Sequence, residues 1–432
     1  MREYDAVIIG AGILGLSTAL QIKKKKPDAE VLVVEKMSGP GRGNTAKSWG
    51  CFRNFFSSNT NYILADTTID FYKHVQENLG VDLQMDSFGY LFLFNKEDYK
   101  KRESILRDMA KKGLEYRIYE GQEIAEKLKM NLGPHDEESR AMGLVDIDLG
   151  LMIPKAGSLD SDSIVRFFES EFIRLGGEVR YNTPVRKITI EPINALGDPW
   201  EPYIWQDVRV NGVETNAGII KAKKTIVAAG AWATGLLDPL GIDSHSRPEK
   251  KHVFFAGADT EALKTLLRAK GLNSTGCLPY VMINCIPHNS TQVSILPKLR
   301  GDSFWLGTSS SFMREFKLEE EPVADKRIFE FDIHQMLPKY FPQFANAKMT
   351  NSWAGQYELN TFDGQPVILE RNDLILVGAS SGSGVMKADA IGRITASLYA
   401  EEEYAKLYGG KEVKVSNFSI EERRLEFEKL VL

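Results

Sequence analysis

The chain opens on an unbroken apolar run, Tyr4 to Ile9, which predicts a short buried strand. Leu14 to Lys25 then reads as a helix, and a second apolar run, Val31 to Val34, predicts another strand. Ile63, Leu64, Thr67, Phe71, Val75 and Leu79 fall on one face of an amphipathic helix. Ser87 to Asn95 reads as a strand, followed by helical patterns over 96–112 and 121–130. In 156–188, Asp160 to Ser163 offers N-cap chemistry and Gly176-Gly177 stops the helix. Glu178 to Tyr181 and Val185 to Ile190 then read as strands. Trp205 to Val210 and Gly218 to Lys221 predict a hairpin, and residues 225–233 a separate buried strand running into small residues. Apolar runs at 253–255, 280–285 and 304–307 add strands. Asp373 to Val377 predicts a strand, Val385 to Tyr399 a helix, and Ile420 to Leu432, where charge alternates with leucine, a C-terminal helix.

The first junction carries chemistry. GAGILG places Gly10, Gly12 and Gly15 at GxGxxG spacing between strand and helix, where the helix Leu14 to Lys25 opens. Gly10 allows a tight turn, Gly12 close approach of backbone to a pyrophosphate, and Gly15 close packing of helix on strand. The phosphates then meet the positive helix N-terminus. Glu35 ends the second strand, where a carboxylate can accept both hydroxyls of an adenosine ribose and disfavours a 2′-phosphate. The pattern therefore predicts FAD or NAD. An NAD domain continues as βαβαβ, whereas here a glycine-bearing loop and other patterns interrupt it, which favours a flavoprotein.

The composition, 43% apolar and 26% charged with a net charge of −5, fits a globular chain and lacks the basic excess of a nucleic-acid binder. Lys23 to Lys26 reads as a solvated helix end. Three cysteines, Cys51, Cys277 and Cys285, form no disulfide framework and no metal-ligand spacing. The reading is a reducing, cytoplasmic compartment. No leader and no apolar run near the ~18 residues of a membrane span is evident.

GAGILG, AGSLDSDSIV with GGEVRYNTPV, TIVAAGAWA, NSWAGQYELNTFDGQPVI and VGASSGSGVMKADAIG together resemble the D-amino-acid oxidase superfamily of flavoproteins. The branch resembled holds sarcosine oxidases, dimethylglycine dehydrogenases, dye-linked proline dehydrogenases and FAD-dependent oxidoreductase domain-containing proteins. The resemblance implies an α/β plus α+β fold: a Rossmann-like FAD-binding domain (1–79, 156–235, 359–432) interrupted by a mixed-sheet substrate domain (80–155, 236–358). It implies FAD contacts from Gly10, Gly12, Ile13, Leu14, Gly15, Glu35, Lys36, Thr45, Ala46, Ser48, Val185, Ala229, Gly230 and Trp232. The closing turn adds Gly382, Ser383, Gly384, Val385, Met386 and Lys387, with a helix N-terminus favouring negative charge on the reduced pyrimidine.

Within SWGCFRNFF, Gly50-Cys51-Phe52-Arg53 matches a Gly-x-x-Arg that lies against the flavin in amine-oxidising relatives. The alternative for Arg53 is a surface arginine with a buried stem. Cys51 reads as a small packing residue. The resemblance places His252 on a pocket-lining strand, where it is either a base taking a proton from an ammonium or hydroxyl substrate or a partly buried strand histidine, and Tyr357 near the substrate; Trp353 suits core or pocket wall, and Ser309 to Ser311 reads as a polar loop. Three departures shape the expected activity. The carboxylate-holding arginine and lysine of sarcosine oxidases align with Phe56 and Met386, so a larger, more apolar substrate is expected. The lysine that assists reaction with oxygen aligns with Trp305, with Lys298 nearby, which points to a dehydrogenase. No cysteine or histidine stands at the family's attachment positions, so FAD is expected to be non-covalent. The expected reaction is hydride transfer from a C–H beside an amine to flavin N5. Electrons would pass to a quinone, a carrier flavoprotein or a partner subunit. A 2-hydroxyacid or glycerol-3-phosphate-type enzyme and a flavin-bearing assembly subunit stand as alternatives, and an oligomer is open.

Overall fold

The computed structural model describes residues 3–133, 136–286, 291–309 and 316–430. Two eight-stranded sheets carry the chain. In the first, neighbours run Val367–Arg371, Leu374–Gly378, Gly218–Val227, Glu3–Ile9, Val31–Val34 and Glu178–Arg180, with the Val185–Pro192 and Val208–Thr215 strands attached through Gly218–Val227. Five consecutive members of that order, from Leu374–Gly378 to Glu178–Arg180, are parallel. Their carboxyl ends therefore emerge side by side, the edge where open α/β sheets bind ligands. The helices Ile13–Lys25, Ser161–Arg174 and Ala388–Tyr399 cover one face, burying Leu16, Leu20, Phe168 and Ile391 against Ala6 and Ile8.

The second sheet runs Met349–Asn360, Ser246–Gly257, Ser303–Thr308, Thr291–Lys298, Tyr280–Ile286, Tyr90–Phe94, Leu149–Ile153 and Arg117–Glu120. Among the described residues of this sheet only Tyr90–Phe94 and Tyr280–Ile286 pair in parallel. A small ribbon pairs Cys51–Arg53 with Ala156–Ser158.

Several expectations change. The two predicted strands within 218–233 are one strand, Gly218–Val227, because Lys221 and Lys223 alternate with the buried Ile220 and Ala222, a period of two that continues the ladder. Its hairpin partner is Val208–Thr215, and Trp205 stands outside it, exposed. Leu79 lies beyond the helix Asn59–Glu77 and is exposed. Lys23 is buried, donating from Nζ to Pro27 O and Ala29 O. The predicted C-terminal helix is absent over 420–430. There Glu428 accepts from Ser57 N (2.7 Å) and Ser58 N (3.2 Å), and Glu426 from Asn59 N (2.7 Å) and Thr60 N (3.2 Å). The bare N–H groups that start the helix Asn59–Glu77 thus draw the tail into an extended path, and Leu430 is buried beside Phe55 and Phe92. His135, His288, Ser310 and Ser311 lie outside the described residues. Among the described residues no helix is long and apolar enough to cross a membrane.

Candidate active site

The parallel strand ends open into one cavity of about 890 Å³, whose other wall is the second sheet. Gly10 turns at φ +107°, and a Cβ there would stand 2.6 Å from Ala228 O. A Cβ on Gly15 would stand 2.0 Å from Gly10 O, so this residue seals helix to turn and does not line the cavity. Gly12 caps the Ile13–Lys25 helix without a side chain, while Ile13 N donates to Thr45 Oγ1 (3.1 Å). The helix start here has no cap from its own N-cap residue, and Thr45 holds one of its N–H groups, an arrangement suited to phosphate. Glu35 accepts from Ala11 N (2.8 Å) on one oxygen and Met37 N (2.9 Å) on the other. Each oxygen keeps a lone pair for a ribose hydroxyl on the cavity wall.

Gly12, Ile13, Leu14, Lys36, Thr45, Ser48, Val185, Ala229, Gly230 and Trp232 line this end. Lys36 Nζ stands 4.0 Å over the Trp232 ring, and Trp232 Nε1 donates to Glu320 (2.9 Å). Ala46 is not on the wall; its N–H closes the loop onto Gly41 O (2.8 Å). At the other end Gly382, Gly384, Val385 and Met386 line the same cavity as Gly10 and Gly12. Gly382, at φ +78°, lies on the Tyr357 ring, where a Cβ would come within 2.3 Å. Ser383 and Lys387 stand behind this turn. Lys387 is buried, its Nζ bonded to Ser383 Oγ (2.6 Å) and Asn61 Oδ1 (2.7 Å) and 4.9 Å over Phe56.

Burial without a carboxylate partner among the described residues pushes the Lys387 ammonium down to about 7. Glu428 raises it and Arg53 lowers it further. The unfolded chain keeps this amine protonated to about 10.4. Between those values the unfolded state binds the extra proton, so this residue makes stability rise with pH and withdraws that contribution below about 7. Denaturant titrations at pH 6, 7, 8 and 9 check this: Lys387→Met should flatten the wild-type rise, and an unchanged slope would contradict it.

Arg53 is placed by Gly50. At φ +64° and with a Cβ position 2.0 Å from Leu159 O, only glycine fits where Cys51–Arg53 joins Ala156–Ser158. The accessible part of Arg53 lies on the cavity wall. One guanidinium nitrogen donates to Phe55 O (3.3 Å), and the group stands 4.7 Å over Phe56 and 6.0 Å over Phe92. It has no salt bridge among the described residues. Burial lowers its proton affinity, which Tyr90, Glu428 and Tyr280 partly restore. Burial also pushes the Cys51 thiol up to about 11, as suits an unreactive residue.

The second sheet supplies residues that no motif marked. Tyr90, Tyr280, Met282, Gln292, Ser294 and Thr308 line the same cavity as Arg53. Tyr280 pairs with Tyr90 across the strands, ring centroids 4.7 Å apart. Among the described residues the hydroxyls of Tyr90 and Thr308 are buried with no nitrogen or oxygen partner, Tyr90 standing beside the Cys51 thiol. Trp49 fills the gap above Gly307. His252 lines the cavity. Burial lowers its proton affinity, and its Nδ1 accepts from Asp325 N (3.2 Å), so Nε2 carries the hydrogen and the ring offers a donor. Burial pushes the Tyr357 phenol up to about 12. Glu358, also raised by burial, accepts from Ser380 N (3.2 Å) and Ser380 Oγ (2.7 Å). Trp305 and Lys298 are not on the wall: Lys298 Nζ stands 4.0 Å over Trp305, which meets Trp353 edge-on at 4.9 Å. Trp353 packs there and donates to Lys47 O (3.3 Å). Ser309 lines the cavity.

A nucleotide cradle at strand ends, facing a half-polar aromatic wall, defines an oxidoreductase with a dinucleotide cofactor. The pattern of the FAD dependent oxidoreductase (DAO) family matches residues 5–398, and the chain belongs to that family. It is a FAD-dependent oxidoreductase, and its helix start, Glu35 and glycine turns fit that cofactor. FAD-dependent oxidoreductase domain-containing protein 1 of Xenopus laevis is 25% identical over 447 aligned positions, covering 97% of this chain and 82% of the relative. Among solved structures, L-proline dehydrogenase from P. horikoshii superposes with a TM-score of 0.73 at 20% identity, covering 97% of each chain. Glycine oxidase from Geobacillus kaustophilus gives 0.72 at 17%, covering 97% of this chain and 99% of its own. These structural likenesses establish the fold.

Proposed function

We propose that the protein oxidises an amino acid or secondary amine bearing a carboxylate, removing hydride from the carbon beside nitrogen. Bound FAD supplies the two-electron acceptor for that hydride, at N5 of its ring. The observation carrying this reading is Arg53, a guanidinium on the cavity wall with no salt bridge among the described residues. A substrate carboxylate completes it with a charge-assisted, two-point contact. The sequence departures at Phe56 and Met386 argue for a substrate held by this one cation and by apolar contact. Trp49, Tyr90, Tyr280 and Met282 supply that contact and exclude water. The Nε2–H of His252 and the hydroxyls of Tyr90 and Thr308 offer polar anchors. The amine gives its proton to solvent before it binds, since His252 in this tautomer is no base. Similarity to an L-proline dehydrogenase and a glycine oxidase supports the substrate class.

Partial similarity to an L-2-hydroxyglutarate dehydrogenase of Escherichia coli motivates a second reading, a 2-hydroxyacid enzyme. Arg53 suits either acid, but a hydroxyl substrate needs a base that His252 does not supply here. Anaerobic mixing with proline, sarcosine, bulkier N-alkyl amino acids and 2-hydroxyacids tests the choice. Bleaching of the flavin band by an amino acid and by no hydroxyacid is expected; the reverse refutes the amine reading. Bleaching by none, with stable partner co-purification, would favour an assembly subunit.

The dehydrogenase reading rests on Trp305 standing where the oxygen-assisting lysine aligns, with Lys298 over its ring and off the cavity wall. With a dye acceptor, turnover should exceed peroxide formation at least about tenfold; equal rates refute it. FAD is held without a covalent bond, because the family's attachment positions hold no cysteine or histidine and burial pushes the thiol of Cys51, the one cysteine on the wall, up to about 11. Boiling should release all of the flavin.

A further inference from the structure

We infer that two copies of this chain associate through the free edge of the strand Val185–Pro192 and the apolar loop that follows it. This rests on the first sheet alone and is independent of the substrate reading. Val185–Pro192 pairs only with Val208–Thr215, so its other edge is unpaired among the described residues. The loop beyond it is inverted in polarity. Trp200 is 82% exposed, Trp205 68%, and Ile204 is fully exposed, with Ile193 and Leu196 also outward. The loop's acids instead turn in on its own backbone. Glu201 accepts from Leu196 N (2.5 Å), Gly197 N (3.3 Å) and Gln206 Nε2 (2.9 Å), and Asp198 from Trp200 N (2.9 Å). A loop that satisfies its polar groups internally and holds five large apolar side chains outward is built for contact.

The edge indicates what makes that contact. Lys187, Thr189 and Glu191 alternate with Ile188 and Ile190. Pairing two copies antiparallel about a two-fold axis at Thr189 sets Ile188 opposite Ile190 and Lys187 opposite Glu191. Apolar meets apolar and charge meets opposite charge, the self-complementarity an isologous interface requires. A shift by one residue mismatches the faces, and lysine on a free edge discourages other partners. Glu191 already holds Arg209 (2.8 Å), Asn211 (2.7 Å) and Lys221 (3.5 Å), so its carboxylate is fixed in place before a second copy arrives. In this register the chain beyond Pro192 runs past Pro184 and Val185 of the other copy, both on the cavity wall. The apolar loops then supply the area that a short strand pair alone lacks.

Light scattering on the full-length, flavin-loaded protein at micromolar concentration should give twice the chain mass. Trp200→Ser/Ile204→Ser/Trp205→Ser should give the single mass with the visible flavin band retained, which shows it is folded. Under mild oxidation Thr189→Cys should form a covalent dimer and Lys187→Cys should not, because only position 189 meets itself. A wild-type monomer overturns the proposal. So does a dimer that survives the triple substitution while Thr189→Cys fails to cross-link. A monomer that instead sediments with phosphatidylcholine vesicles overturns it in favour of a membrane surface.

Discussion

Arg53→Met is expected to lower kcat/KM for a carboxylate-bearing amine by roughly 30- to 4,000-fold while FAD stays bound. Truncating one partner of a buried, hydrogen-bonded charge pair costs about 2–5 kcal/mol, and each 1.4 kcal/mol is about tenfold. Arg53 meets the conditions for the upper part of that range: its accessible part faces the cavity, and no protein carboxylate competes for it among the described residues. Arg53→Lys should recover only part of the loss, since an ammonium lacks the two-point fork. Two readouts separate its roles. The corresponding amine without a carboxylate should lose little between wild type and Arg53→Met if the residue binds substrate. A fall in the flavin midpoint potential in the variant would instead mark stabilisation of the reduced, anionic ring. An unchanged kcat/KM for every carboxylate substrate would remove Arg53 from the site.

The second large effect is expected at Gly12. At φ −76° its backbone is ordinary, and a Cβ would meet nothing nearer than Thr45 Oγ1 at 3.5 Å. Gly12→Ala should therefore fold, with unchanged far-ultraviolet dichroism. Its methyl group would stand where the backbone meets the pyrophosphate, so FAD affinity should fall about 5- to 150-fold, the 1–3 kcal/mol cost of an added methyl in a filled contact. Gly15→Ala is the contrast: its Cβ position 2.0 Å from Gly10 O should prevent the turn from forming at all. Equal FAD affinity in Gly12→Ala would mean that the phosphates lie elsewhere.

The nucleotide half of the site was legible because its chemistry is local. Strand, turn, helix and acid follow one another within Tyr4 to Glu35, and Gly10 and Gly15 answer backbone demands that the structure shows, while Gly12 leaves the cavity open. Gly50 belongs to the same class, since its positive φ sets the ribbon that presents Arg53. The substrate wall was not legible. Tyr90, Tyr280, Met282 and Ser294 sit in uniformly apolar or mixed runs, and only strand register across the second sheet brings them together. Lys387 was placed among cofactor contacts by its neighbours in sequence, but the chain direction after Gly384 turns it toward Asn61, behind the turn. The tail was misread for a different reason. Its spacing suits a helix, yet Glu426 and Glu428 gain four backbone donors from a helix start far away in sequence. Tertiary hydrogen bonds there outweigh a modest local preference.

A structure of the yellow holoprotein tests the central claim most directly. The account predicts one continuous FAD, its ribose at Glu35, its phosphates at Gly12 and Ile13, and its ring between Arg53 and the Gly382–Val385 turn. Colourless protein that releases no flavin on heating, or a ring seated away from that closing turn, would contradict it.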